Sequence, residues 1–292
     1  MRVHLVDGTY ELFRAHFSKQ PGREAPDGRD VKATVGLVGS LLRLLHDEDE
    51  AVSHIAVAFD NPIESWRNRR FPPYKDSSGV DPDLLAQFDP VEEAVAALGV
   101  VVWSMREHEA DDALGTGAAR FADRAEQVRI LSPDKDLRQA VRDDRVVQID
   151  RRKGEVVDEA GVRERTGVGP ASIPDLLALT GDSADGIPGL PGFGAKTASA
   201  LLARYEHIEA IPDEPGAWDV TVRGAERLAG TLRSRREDAL LYRELATLVT
   251  DVPLDERLDD LAWPGVPRDP FLEWCERLGV TGLRDRPTRW AT

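Results

Sequence analysis

The stretch that decides the fold class is Arg129-Ile130-Leu131-Ser132-Pro133-Asp134-Lys135-Asp136. An apolar run over residues 128–131 has the length and composition of a buried strand, and Asp134 and Asp136 follow it directly. Two earlier apolar runs end in the same way, residues 3–6 before Asp7 and residues 55–59 before Asp60. The carboxyl ends of parallel strands open onto one crevice, where such acids repel each other unless they share cations. The pattern therefore predicts a site for several hard divalent metal ions with oxygen ligands only.

The order of strand and helix patterns predicts two domains. Up to about residue 150, strand patterns near residues 100–103 and 146–149 alternate with helical patterns near residues 35–45, 90–98 and 111–126. This alternation predicts an α/β domain with a mainly parallel sheet and flanking helices. Strand patterns stop at about residue 162, and helical patterns follow near residues 174–179, 195–205, 225–228 and 235–248. They predict a smaller helical domain.

The composition excludes some classes of protein and opposes others only weakly. The 292 residues carry a formal net charge of −15, which at first sight argues against a nucleic-acid partner. Acids that bind metal contribute to that charge, however, and the groups that contact phosphate need only be local. A single cysteine excludes an internal disulfide framework and a cysteine-rich zinc site. No apolar run reaches the ~18 residues of a membrane span and no signal-peptide pattern is present, so we expect a cytoplasmic protein without a membrane partner.

Two further acidic clusters follow turns in the sequence. The first contains Glu109, Asp111 and Asp112 at a helix start, where acids are also expected simply as caps. The second contains Asp182 and Asp185, in a segment that by itself also fits an ordinary loop. The number and placement of the acids favour metal binding, because nearly all of them lie at strand ends or just after a turn. The nine acids are Asp7, Asp60, Glu109, Asp111, Asp112, Asp134, Asp136, Asp182 and Asp185.

A glycine-rich turn comes immediately after the last acidic cluster. Gly189, Gly192 and Gly194 allow a tight turn with close backbone approach, and a helix is expected to begin near Ala195. Free N–H groups at that helix start would form an anion site suited to a phosphodiester backbone, with Lys196 as an added charge. The alternative is a glycine-rich helix entry without a ligand. Backbone contacts of this kind would bind nucleic acid without base preference.

A long insertion without clear periodicity separates the second predicted strand from the next helix. It runs over residues 61–88 and contains the basic and aromatic segment Trp66-Arg67-Asn68-Arg69-Arg70-Phe71-Pro72-Pro73-Tyr74-Lys75. Loops of this length inside a domain are usually functional or disordered. The segment therefore indicates either a phosphate-contacting loop or a solvated basic loop.

Six of these motifs occur in the order found in one known family. They are Val6-Asp7-Gly8, Phe59-Asp60, Glu109-Ala110-Asp111-Asp112, residues 132–136, residues 180–185 and residues 189–198. Over roughly residues 1–250 the chain resembles structure-specific 5′ nucleases, found as the 5′–3′ exonuclease domain of bacterial DNA polymerase I and as flap endonucleases. The resemblance implies a PIN-like nuclease domain over residues 1–165. It further implies a helix-three-turn-helix DNA-binding domain and a helical tail over residues 166–292. Because the sequence contains no polymerase domain, we expect a stand-alone protein.

The resemblance also implies roles for individual residues. Asp7, Asp60, Glu109 and Asp111 would form one metal cluster, and Asp134, Asp136, Asp182 and Asp185 the second, with Asp112 in support. Together they would hold two Mg²⁺ or Mn²⁺ ions that act on a phosphodiester. Lys75 and Arg67 would contact the phosphates on either side of the cut, and Tyr74 could stack on a base. Further DNA contacts are expected from Arg14, Arg69, Arg70, Gly189, Gly192, Gly194, Lys196 and Thr197. We also expect a monovalent cation at the glycine-rich turn.

The sequence departs from the family pattern in two places. Asp76, Ser77 and Ser78 follow Lys75 where another basic residue is common, and Gly186 stands where the second-site motif usually has asparagine. Because all nine acids are retained, we expect activity to survive. The expected protein is a Mg²⁺-dependent 5′–3′ exonuclease or flap endonuclease acting on DNA with a free 5′ single-stranded end or flap, and we also expect it to be a monomer. Two alternatives stay open: a flap-DNA-binding protein whose catalysis has decayed, and a PIN-type ribonuclease.

Overall fold

Four parallel strands form the sheet of the first of two compact units. They are β1 (Arg2–Asp7), β2 (His54–Asp60), β3 (Val101–Met105) and β4 (Gln127–Leu131). Their order is β3-β2-β1-β4, and each neighbouring pair is parallel. The inner strands are buried nearly throughout, as expected when helices cover both faces of a parallel sheet. The predicted α/β class with a mainly parallel sheet is confirmed.

The structure is a computed structural model that describes residues 1–291. The first unit comprises residues 1–65, residues 77–132 and the chain from residue 250 onward, and the second comprises residues 66–76 and 133–249. The helices in chain order are α1 (Gly8–His16), α2 (Lys32–Leu45), α3 (Trp66–Arg70), α4 (Pro82–Leu85), α5 (Phe88–Ala97), α6 (Ala110–Phe121), α7 (Glu159–Thr166), α8 (Ile173–Thr180), α9 (Ala195–Tyr205), α10 (Ala225–Ser234), α11 (Arg236–Ala246) and α12 (Arg268–Arg277). In the described chain, no helix has the length and apolar character needed to span a membrane.

Helix α2 shows how the sequence pattern builds the first unit. Leu37, Leu41 and Leu44 recur at helical spacing and are fully buried or nearly so. The helix begins after Asp30, whose carboxylate accepts a 2.8 Å hydrogen bond from the Lys32 backbone N–H. Such a bond satisfies one of the amide donors that a helix start leaves without an intrahelical partner. The apolar pattern near residues 35–45 therefore identified the helix, but it did not give the start of the helix at Lys32.

The second unit is mainly helical and has its own apolar core. Leu179, Leu201, Leu228 and Leu245, from helices α8 to α11, are all buried in that core. The unit also contains an antiparallel pair of strands, β5 (Val146–Asp150) and β6 (Glu155–Val157). The sequence analysis identified neither β6 nor α7, because β6 has three residues and α7 buries only Val162. Such short or polar elements carry almost no periodic signal.

The C-terminal tail belongs to the first unit rather than to the helical unit. The indole N–H of Trp263 donates to the Leu98 carbonyl at 2.9 Å, and the indole N–H of Trp103 donates to Glu256 at 3.0 Å. Phe271 in α12 is fully buried. The sequence analysis predicted one domain over residues 1–165 and a second over residues 166–292. In the structure, the chain from residue 250 onward instead belongs to the first unit. The bulky side chains of the tail pack on residues far earlier in the chain, a contact that no local pattern reports.

Candidate metal site

Three buried carboxylates of the second unit lie close together. Asp136, Asp182 and Asp185 each offer one oxygen, and these oxygens all lie within 4.8 Å of one another. Asp136 begins a 3₁₀ turn over Asp136–Ala140, and its backbone N–H donates to Asp134 Oδ1 at 2.9 Å. This hydrogen bond, between residues two positions apart, holds Asp134 next to the same turn. Four acids that the sequence assigned to one cluster all belong to this unit.

A short closed loop presents Asp182 and Asp185. The backbones of Asp182 and Ile187 exchange two hydrogen bonds, of 2.8 and 2.7 Å, and Asp185 lies between them. Gly186 has φ +75°, and a Cβ added there would lie 2.4 Å from the Pro73 carbonyl oxygen. Only glycine fits so close an approach without a shift. Gly186 therefore has a local reason in this chain, although the family pattern usually has asparagine.

Two lysines neutralise part of this cluster. Lys135 Nζ lies 2.7 Å from Asp182 Oδ2, and Lys75 Nζ lies 3.0 Å from Asp185 Oδ1. The backbone N–H of Lys75 also donates to the Asp185 carbonyl at 3.0 Å, so Lys75 is fixed at both its main chain and its side chain. The sequence analysis gave a role to Lys75 and none to Lys135. The position of Lys135 between Asp134 and Asp136 in the sequence could have indicated that it lies beside the acidic cluster.

The pKa values of the acids in the cluster are shifted in different directions. Burial, followed by the charges of Asp134, Asp185 and Asp182, raises the pKa of Asp136 well above its usual range. The Asp134 side chain is exposed to solvent, but desolvation by the surrounding protein still raises its pKa. Burial opposes ionisation of Asp185, but the Lys75 ammonium, a hydrogen bond with Asp136 and the charge of Arg67 together outweigh it and lower the pKa of that carboxyl. Crowded carboxylates of this kind are stabilised by added positive charge.

The residues present fit a hard divalent cation. Their donors are carboxylate oxygens, which Mg²⁺ and Mn²⁺ prefer. Asp136 Oδ1 is buried and accepts no hydrogen bond from any residue between 1 and 291. A buried acceptor without a donor is costly, and a bound cation would remove that cost. The cluster thus has the ligand atoms that a divalent metal prefers, and one of its buried carboxylate oxygens lacks a hydrogen-bond donor among the described residues.

The acids of the first unit are held mainly by hydrogen bonds at strand and helix ends. Asp7 caps α1 by accepting from the Tyr10 backbone N–H at 2.8 Å, and its second oxygen accepts from the Ser132 hydroxyl at 2.7 Å. Asp60 Oδ1 accepts from the Ala110 backbone N–H at 2.7 Å, at the start of α6. Strand end and helix start are therefore linked through a carboxylate.

The cluster at the start of α6 also acts as a helix cap. Asp112 is fully buried and accepts from the Glu109 backbone N–H at 3.0 Å. Glu109 is buried as well and accepts from the Ser65 hydroxyl at 2.9 Å. Asp111, on the same turn, is half-buried. Within residues 1–291, these first-unit acids do not bring three ligand oxygens as close together as the second-unit trio does.

Two residues expected to contact DNA instead lie in the interior. Arg67 is 2% exposed, and its guanidinium donates to the carbonyls of Leu245 at 2.7 Å and Thr247 at 3.0 Å. Tyr74 is 3% exposed and belongs to the apolar core of the second unit. The stacking role predicted for Tyr74 does not fit this position, because its ring faces are covered by protein. Arg67 and Tyr74 thus stabilise the interior of the second unit, a role that their basic and aromatic surroundings in the sequence did not indicate.

The other basic candidates differ in their partners. Arg70 forms an ion pair with Glu244 at 3.0 Å, and both side chains are about half exposed. Arg14 bonds to Glu11 and donates to the Ser40 hydroxyl at 3.0 Å. Arg69 is exposed.

The glycine-rich turn leads directly into α9, as predicted. Gly194 is the residue before the helix, and Lys196 and Thr197 lie in its first turn, with Lys196 exposed. Gly192 has φ +88°, and a Cβ there would lie 2.0 Å from Nη1 of Arg227. This glycine therefore admits the Arg227 guanidinium beside the turn. The sequence analysis missed Arg227, because it lies on α10 and no motif includes it.

Comparison with known proteins agrees with this fold. The family model described as "5′-3′ exonuclease, N-terminal resolvase-like domain" matches residues 2–167, and "5′-3′ exonuclease, C-terminal SAM fold" matches residues 168–269. DNA polymerase I of Pseudomonas aeruginosa is 37% identical over 273 residues, which cover 90% of this chain and 29% of that protein. The chain thus spans less than a third of this relative's length.

Solved structures share the fold at lower identity. The T5 D15 protein co-crystallised with metal ions has a TM-score of 0.68 at 18% identity, covering 96% of this chain and 99% of its own. The catalytic core of Rad2 in complex with DNA substrate has a TM-score of 0.60 at 13% identity, covering 95% and 88%. The chain belongs to the 5′–3′ exonuclease family.

Proposed function

We propose that this chain is a metal-dependent 5′–3′ exonuclease and 5′ flap endonuclease that hydrolyses phosphodiester bonds in DNA with free 5′ single-stranded ends. The observation that carries the proposal is the buried trio of Asp136, Asp182 and Asp185 beside Lys75. Its carboxylate oxygens lie within 4.8 Å of one another, a spacing that suits a shared cation. Membership of the 5′–3′ exonuclease family supports the same reaction.

The proposed cofactor is Mg²⁺ or Mn²⁺, with two ions held by two sets of carboxylates. Asp134, Asp136, Asp182 and Asp185 form one set, and Asp7, Asp60, Glu109 and Asp111 the other, with Asp112 in support. When bound, such ions activate a water molecule and stabilise the leaving oxygen at phosphorus. The protein contributes the fixed geometry, because Asp134 is bonded to the 136–140 turn and Asp185 to the backbone of Lys75.

DNA is proposed to contact the second unit through phosphates. The ammonium of Lys75 is 29% exposed at the cluster and can contact a phosphate next to the bond that is cut. The start of α9, with Lys196 and Thr197, supplies N–H groups and positive charge for a duplex backbone. Such contacts predict binding without base preference and with a steep dependence on salt. A monovalent cation at the same turn remains part of the proposal.

The deciding experiment is cleavage of a 5′-labelled double-flap DNA in Mg²⁺, beside an identical substrate without the flap and a matched RNA substrate. Asp134→Ala serves as the control and should abolish cleavage while DNA binding, measured in Ca²⁺, persists. Preferential cutting near the flap junction supports the proposal. Binding without turnover in either Mg²⁺ or Mn²⁺ would instead identify a decayed flap-binding protein, and preferential cutting of RNA a ribonuclease.

We further propose that the protein is a cytoplasmic monomer. Light scattering coupled to gel filtration tests the oligomeric state, and cell fractionation tests the location.

A further inference from the structure

A cleft on the first unit collects positive charge from three distant parts of the chain. It has a volume of about 530 Å³ and lies between the loop after α1, one face of α2 and the segment near residue 283. Its lining includes four basic side chains, Arg23, Lys32, Arg43 and Arg286, and no carboxylate among the residues that the structure describes. We call these four residues and their cleft the basic cleft.

The charges of the basic cleft are not neutralised by the protein. Lys32 Nζ donates to the carbonyls of His16 and Ser18, at 2.6 and 2.9 Å, which hold the ammonium in place without cancelling its charge. Within residues 1–291, Arg23, Arg43 and Arg286 form no side-chain hydrogen bond or ion pair. All three are exposed.

Such a group is unexpected in this chain. Acidic residues number 53 against 38 basic ones, so carboxylate partners are in excess. Two exposed arginines elsewhere on the same unit do have such partners: Arg277 pairs with Glu93 at 2.8 Å and Arg29 with Asp27 at 2.7 Å. Four positive charges without carboxylates around one cleft repel one another, and a bound anion would relieve that repulsion.

One wall of the cleft is formed by α2. Gly36 and Gly39 both line it, and Gly36 is exposed. A Cβ added to Gly39 would be 3.8 Å from Nη1 of Arg43, so this guanidinium lies along the helix surface over the glycine. Arg43 thus presents a guanidinium, with planar N–H geometry suited to phosphate, at the wall of the cleft.

We propose that the basic cleft binds phosphate groups. The ligand is either a nucleic-acid strand, contacted through its backbone, or a free nucleotide, since both present the same phosphate chemistry. In a chain with a net charge of −15, a local concentration of unpaired positive charge is what would attract a polyanion to this face. The inference does not depend on cleavage activity.

The test uses the full chain in a phosphate-free buffer with EDTA, so that no DNA is cut. Isothermal titration compares inorganic phosphate, thymidine 5′-monophosphate and a twelve-nucleotide oligothymidylate as ligands. The double variant Arg43→Gln/Arg286→Gln is compared with Arg124→Gln, which removes an exposed arginine of the same unit outside the cleft. We expect the double variant to lose about tenfold or more in affinity, while Arg124→Gln stays close to wild type.

The three ligands separate the two sources of phosphate. Loss confined to the oligonucleotide, with the salt dependence of its binding reduced by about 1.4 in log–log slope for two lost contacts, identifies a strand. Loss for the mononucleotide identifies a nucleotide site. The proposal is overturned if the wild type binds none of the ligands, or if the double variant binds them as the wild type does. Flap cleavage in Mg²⁺ is measured separately, so failure of the nuclease proposal would be recognised independently.

Discussion

Lys135 places its ammonium 2.7 Å from a carboxylate oxygen of Asp182, an acid that is 4% exposed. The lysine itself is 44% exposed, so its ammonium is partly solvated. It therefore places a positive charge at a group of acids that otherwise repel each other. In the proposed reaction this charge and a divalent ion would compete for the same oxygen.

Replacing Lys135 with methionine should tighten the binding of a divalent metal. The variant loses the competing cation and keeps all of the carboxylates, so we expect about tenfold higher affinity, equivalent to ~1.4 kcal/mol. Mn²⁺ titration followed by electron paramagnetic resonance measures it directly. Lys153→Met is the matched control, because Lys153 pairs with Asp150 at the surface of the same unit. Weaker Mn²⁺ binding in Lys135→Met would mean that the lysine supports the site instead.

Arg67→Met should destabilise the protein. The guanidinium is buried and satisfies the carbonyls of Leu245 and Thr247, so its loss should lower the free energy of unfolding by about 2 kcal/mol or more. Urea unfolding at neutral pH measures the change. Arg69→Met, at an exposed position on the same helix α3, should have little effect. Unchanged stability together with reduced flap cleavage would return Arg67 to a phosphate-contacting role.

Gly186→Asn, the residue usual in the family pattern, should be unfavourable in this chain. Its Cβ would meet the Pro73 carbonyl at 2.4 Å, which forces a backbone shift and costs about 1–3 kcal/mol. Thermal unfolding should show the loss. The control is Gly216→Asn, where a Cβ meets nothing within 4 Å. Equal melting temperatures for the two variants would show that the loop adapts freely.

Stability at acid pH should depend on Glu50. Hydrogen bonding to His4, together with the charge of Arg129, lowers the pKa of Glu50 from its usual value near 4.5 to about 2. The folded state then binds fewer protons than the unfolded state, so this stabilisation is complete above about pH 4.5 and is lost as pH falls towards 2. It amounts to at most about 3 kcal/mol, since one pKa unit corresponds to about 1.36 kcal/mol.

The measurement for Glu50 is urea unfolding at pH values from 5 down to the lowest at which the protein stays folded. Glu50→Gln should reduce the decline in stability over that range. Glu48→Gln, at an exposed neighbouring position, should decline like the wild type. Parallel curves for all three proteins would contradict the proposed role of the buried His4–Glu50 contact.

Much of the candidate site could be predicted from local spacing. Asp7 and Asp60 end their strands as expected, and Asp182 and Asp185 share one loop with the oxygens of Asp136 nearby. Period-two and helical patterns report which residue follows a strand or begins a helix, because each is set by a few consecutive residues. The helix predicted near residues 195–205 is present over Ala195–Tyr205 for the same reason.

The sequence by itself determined the α/β class, the order of the acidic motifs and the glycine-rich entry to α9. Only the tertiary structure decided that Arg67 and Tyr74 are buried, that Gly186 lies against Pro73, and that Arg23, Arg43 and Arg286 line one cleft. The physical reason is the separation along the chain of the residues that interact. Spacing along the chain fixes the local element, whereas burial and charge pairing depend on which distant residues pack beside it.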